Sequence, residues 1–143
     1  MIKHEDNIDE ESPVWMMWCQ GIKKAPPIIL SCIQSVIENR ANHPVIIITK
    51  YNLIKYIKLP SYILQKFKKG MFDIIHFSDI VRMALLHKYG GYWIDSTYLL
   101  TAPFVNYNTS FYTLNWIIVG LMIILILPVN GQLISWLFQK IVL

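Results

Sequence analysis

The stretch "FSDIVRMALLHKYGGYWIDST", Phe77 to Thr97, sets Asp79, Arg82 and Asp95 in a mostly apolar run broken by Gly90-Gly91. Asp79 and Arg82 are three apart, so on a helix they project from one side. A guanidinium fork suits phosphate or planar oxygens, and an aspartate accepts hydrogen bonds from sugar hydroxyls. Asp95, at the end of a short strand, has the chemistry to meet a divalent cation bridging a diphosphate. A tryptophan earlier in the chain offers a flat face for a base. A plainer account stays open: Asp79 caps a helix, Arg82 pairs with it, and Asp95 closes a turn with Ser96 and Thr97.

The elements that must hold these groups read as α/β. "PVWMMWCQG" predicts a short buried strand, with Trp15 in the core and Trp18 near its end. Ile29, Ile33, Val36 and Ile37 are spaced for one face of a helix, with Pro26 and Pro27 in its first turn. The β-branched run "VIIIT" predicts a parallel strand covered on both faces. Together these form β-α-β, with a right-handed crossover expected. "YNLIKYIKLPSYILQKFKKG" reads as a helical connection broken at Pro60 and closed by Gly70. The next helix is expected to start near Ser78 as N-cap, which would put Asp79 in its first turn. It should stop at Gly90-Gly91, and "YWID" then delivers Asp95 at the carboxyl edge of a sheet, where ligands collect in open α/β folds. Asn52 reads as a turn residue.

Charge is unevenly spread over a chain with formal charge +4 and 55% hydrophobic residues. Residues 1–12 carry an acidic, loosely held leader. From Lys50 to Lys69 there are six lysines and no acid, suited to phosphates or an anionic membrane, or forming only a solvated face. No arginine cluster or reader motif supports a nucleic-acid partner. Cys19 and Cys32 form no CxxC, and the four histidines have no metal-binding spacing. With no signal peptide visible, a reducing, cytoplasmic setting is the expectation for residues 1–110. No charged side chain occurs from 96 to 139, and the apolar run Ile117 to Leu127 is short for a spanning helix. Residues 111–143 therefore stay open between a membrane segment, buried core and a tail foreign to the fold.

"VWMMWCQG", "PPIILSCIQSV" and "FSDIVRMALLHKYGGYWIDST", in that order, resemble the bacterial capsular polysaccharide synthesis family. They also resemble the S-D-x-x-R…G-G-x-Y/W-x-D-x-D block of DXD-containing GT-A glycosyltransferases, including family 32. The resemblance covers roughly Pro13 to Phe104. It implies the N-terminal portion of a GT-A, Rossmann-like fold at 13–110, followed by an apolar C-terminal tail at 111–143. It further implies transfer of a sugar from a nucleotide-sugar donor, UDP-linked by this likeness, to a glycan or lipid-linked acceptor in capsule or surface polysaccharide assembly. Donor-binding residues carried over are Trp18 (base stacking), Asp79, Arg82 and Asp95.

The second acid of DXD is missing, leaving Asp95 and, weakly, Thr97 as ligands for Mn2+ or Mg2+; a D-[AS]-T form is common in capsular relatives. The abrupt apolar ending raises the expectation of a truncated or frameshifted copy. No catalytic base is identifiable, and a non-catalytic, membrane-associated remnant keeping the donor-binding half is the alternative. Location at the inner face of the membrane, through the tail, goes with either reading.

Overall fold

The computed structural model describes residues 12–104, 112–113 and 124–126. Strand β1 (Val14–Met17) leads to helix α1 (Pro27–Asn39), strand β2 (Val45–Ile48), short helices α2 (Leu53–Tyr56) and α3 (Ser61–Lys68), the long helix α4 (Ile74–Tyr89) and strand β3 (Tyr92–Ile94). Two further strands, β4 (Tyr112–Thr113) and β5 (Ile124–Ile126), complete a five-stranded sheet in the order β2-β1-β3-β5-β4. β1 pairs in parallel with β2 and β3, whereas β5 runs antiparallel to β3 and to β4. β4 and β5 belong to the segment expected as an apolar tail. The rest of that segment and nearly all of the expected 1–12 leader lie outside the described residues.

Alternation along β1 sorts its side chains to two layers. Val14 and Met16 join Tyr92, Ile94 and the α1 residues Ile29, Ile33 and Val36 on one face. Trp15 and Met17 join Trp93, Ile63 of α3 and Phe77, Val81, Leu85 and Leu86 of α4 on the other. Helices fall on opposite faces because the β1-to-β2 and β2-to-β3 crossovers run in opposite directions across the sheet. Each large side chain buried this way contributes roughly 1.5–3 kcal/mol. Trp15, 1% exposed, also donates from Nε1 to the Gly90 carbonyl at 3.0 Å, pinning the end of α4 to β1. Leu100 and Phe104 return the chain to α1: Leu100 N–H donates to Ser35 Oγ at 2.9 Å and Phe104 N–H to the Asn39 carbonyl at 2.7 Å.

β2 is a parallel strand packed on both faces, Ile46 and Ile48 on the Trp15 layer and Val45 and Ile47 on the α1 layer, but it lies at the edge of the sheet and Val45, Ile46 and Ile47 keep partial exposure. One expectation needs correction. α4 begins at Ile74 rather than near Ser78, and its cap is Asp73, whose Oδ1 accepts from the amides of Ile75 and His76, each at 3.0 Å. Asp79 therefore sits in the second turn, and the helix dipole does not explain its position. Those amide bonds, with the His76 ring, pull the Asp73 carboxyl below its ordinary value of 3.8. A depressed folded-state pKa means the cap stabilises above the unfolded value and is lost as pH falls through the folded one. Asp73→Ala should therefore lower the urea midpoint at pH 7, and the difference from the parent should shrink steadily below pH 4.

Candidate functional site

The parallel part of the sheet, ordered β2-β1-β3, reverses direction at β1: the chain goes to one side for β2 and to the other for β3. In open α/β sheets such a reversal opens a crevice beyond the carboxyl ends of the two diverging strands. Trp18 follows β1 and Asp95 follows β3, so both stand at this edge.

Three of the residues singled out from sequence meet here. Arg82 Nη2 lies 3.2 Å from Asp79 Oδ1 and 3.1 Å from Asp95 Oδ1. Asp95 Oδ1 also accepts from Trp93 Nε1 at 2.9 Å, and the guanidinium stands over the Trp93 ring at 5.3 Å. α4 supplies the acid and the guanidinium one turn apart. β3 supplies the second acid, and its indole at position 93, two residues before, faces the same layer. Arg82 is only 8% exposed, while the side chains of Asp79 and Asp95 keep 42% and 35% of their surfaces. Buried charge is thus roofed by two solvent-reaching carboxylates. Nη1 makes no hydrogen bond among the described residues, and the buried Nε has no partner there either.

Asp95 opens a turn closed by Tyr98 N–H donating to the Asp95 carbonyl at 2.9 Å. Ser96 is buried within this turn and Thr97 is exposed. Trp18 is partly buried on the α1 side and touches none of the three charged groups; its Nε1 is buried without a hydrogen-bond partner among the described residues. Cys19, beside it, is a free thiol whose pKa burial pushes up against the pull of Lys50, so it stays protonated at neutral pH and is a poor nucleophile. Asn52 closes its own turn, accepting from Thr49 N–H at 2.7 Å and donating to the Ile47 carbonyl at 2.9 Å. What sequence reasoning missed is Trp93, which backs Arg82 and holds Asp95; its place two residues before Asp95 on a strand was the available signal.

As donors for a metal, the described residues contain no group of three or more His, Cys, Asp or Glu side chains. The available set fits a hard cation bound through one carboxylate, with substrate phosphates and water supplying the other oxygens.

These features define an α/β protein with a charged cluster at the sheet's switch point. The chain belongs to the capsular polysaccharide synthesis protein family, whose model matches residues 1–117. That membership points to a role in capsule biosynthesis. No curated protein and no solved structure matches the chain. Among the described residues no helix is long and apolar enough to cross a membrane.

Proposed function

We propose that the chain is a nucleotide-sugar glycosyltransferase of the GT-A class, with Asp79, Arg82 and Asp95 holding the donor at the carboxyl edge and Trp18 stacking on its base. The observation carrying this reading is the convergence of the three charged groups at the switch point between β1 and β3. The donor would be a UDP-sugar, and the acceptor a glycan or lipid-linked saccharide at the cytoplasmic face of the membrane. Residues 13–110 would form the donor-binding unit.

In this arrangement the protein positions the donor, meets the developing charge on the leaving diphosphate and keeps water from the anomeric carbon. Arg82 Nη1 would meet an anionic oxygen, and Asp79 would accept from a sugar hydroxyl. Two carboxylates against one guanidinium leave the cluster one negative charge, which opposes a diphosphate. Mn2+ or Mg2+ held by Asp95, with Thr97 at most a weak further oxygen, would reverse that sign.

Equilibrium dialysis of labelled UDP with and without manganese tests the reading. Binding should be at least tenfold tighter with the metal, and Asp79→Ala and Trp18→Ala should each weaken it about tenfold or more. Absence of binding at millimolar UDP would sink the proposal. Binding without any sugar transfer or donor hydrolysis would instead favour the non-catalytic remnant.

A further inference from the structure

We propose that the outer surface of the α2–α3 region is a docking surface for an anionic lipid bilayer, independent of the donor site. Lys50, Lys55, Lys58, Lys66, Lys68 and Lys69 are all exposed, and among the described residues no ion pair involves any of them. No acid lies between the first and the last. A solvated face of a helical region accounts for the lysines alone, but not for their neighbours. Tyr51, Ile54, Tyr62 and Met71 are each at least 45% exposed. In the rest of the described chain only Ile28, Ile75 and Leu99 reach that exposure among large apolar side chains, and Ile75 stands on the face of α4 that bears Asp79 and Arg82. Leaving such groups in water is unfavourable, and their concentration among unpaired lysines calls for a partner that takes both.

The inner side of this region is already committed. Ile57 and Ile63 are buried against the Trp15 layer, with Tyr56, Leu59 and Phe67 packed beside them. The lysines and free apolar groups are therefore on the outside of a layer anchored to the sheet. Between the α2–α3 connection and α4 lies a groove of about 550 Å³, lined by Ile54, Lys55, Lys58, His87 and Lys88 among others. Its α4 residues are turned around the helix from Asp79 and Arg82. Lysines flanking a groove with an exposed aliphatic residue suit phosphate headgroups, with acyl chain boundaries receiving the apolar tips. Nucleic acid would use the lysines and the two tyrosines, but it has no use for Ile54 and Met71.

The full chain should co-sediment with vesicles of one part phosphatidylglycerol to two parts phosphatidylcholine, not with phosphatidylcholine alone, and high salt should release it. Exposed lysines near an anionic surface contribute roughly fivefold each, so Lys55→Gln/Lys58→Gln/Lys66→Gln should weaken binding about 100-fold. Ile54→Ser/Met71→Ser should weaken it about tenfold or more at unchanged charge. Equal binding to neutral and anionic vesicles, untouched by the lysine changes, would overturn the proposal and assign anchoring to residues 111–143. No vesicle binding, or equally tight binding of a single-stranded oligonucleotide at matched phosphate, would also overturn it. Should the triple variant misfold, judged by tryptophan emission, the salt dependence of the unaltered chain and Lys58→Gln alone decide the matter.

Discussion

Arg82→Met is expected to abolish measurable UDP binding and to cost about 2 kcal/mol of folding stability, because one guanidinium serves two purposes. In the resting chain it neutralises two carboxylates that otherwise face each other across Oδ1 contacts of 3.2 and 3.1 Å to the same nitrogen. Removing one partner of a fully buried ion pair typically costs roughly 3–5 kcal/mol. Here both acids keep more than a third of their side-chain surface, so water recovers part of that loss and the lower figure applies. Methionine keeps the apolar stem against Trp93, which limits the packing loss. Binding should suffer more, since the cluster changes from one net negative charge to two where the proposed donor's diphosphate would sit. A loss of at least about 100-fold, equivalent to roughly 2.7 kcal/mol, is the expected reading in equilibrium dialysis. Arg82→Lys separates the roles. An ammonium restores a positive charge and part of the stability, but cannot present a planar fork to two acids and a ligand together. Stability recovering without binding would fit; unchanged UDP affinity in Arg82→Met would remove the cluster from the donor site.

The parts of this site that could be read from sequence are those fixed by local spacing. Asp79 and Arg82 needed only the helical repeat, and Asp95 only the strand after a Gly-Gly stop; both hold in the structure. The start of α4 could not be read in the same way. Ile74 and Ile75 are 37% and 67% exposed, so the first turn lacks the one-sided pattern that marks a helix, and Asp73 precedes residues that look like a loop. β2 was legible as a strand packed on both faces, but not its place at the edge: edge or centre is decided by which strands pair, and that depends on β3 joining β1 from the other side. The same non-local pairing brings Trp18 and Asp95 to one edge of the sheet, although 77 positions separate them (95 − 18). The antiparallel addition of β5 to β3 has no local signature at all within an evenly apolar run. The GT-A assignment and the roles of Trp18 and Thr97 rest on resemblance, and the UDP and manganese measurements are what test them.

Gly91→Ala should be the most damaging single methyl addition in the described chain, costing about 3 kcal/mol or more in urea denaturation. Gly91 holds φ at +88°, where a side chain strains the backbone by roughly 1–3 kcal/mol. A Cβ there would also run into the Pro13 carbonyl oxygen, a backbone atom, with the Pro13 ring close behind. That oxygen accepts from Tyr92 N–H at 2.8 Å and begins the β1–β3 ladder, so it cannot turn aside without breaking the pairing. Overpacking against fixed backbone adds roughly 1–3 kcal/mol more. Gly70→Ala is the matched control: its φ is +68°, but an added Cβ meets nothing within 4 Å, so only the conformational part remains. The excess of Gly91→Ala over Gly70→Ala then measures how tightly β3 must approach β1. A weakened β1–β3 contact also separates the edge bearing Trp18 from that bearing Asp95. Under conditions where Gly91→Ala remains folded, it should therefore bind UDP more weakly than Gly70→Ala does. Equal stability of the two variants would show that the close approach is not what joins the strands.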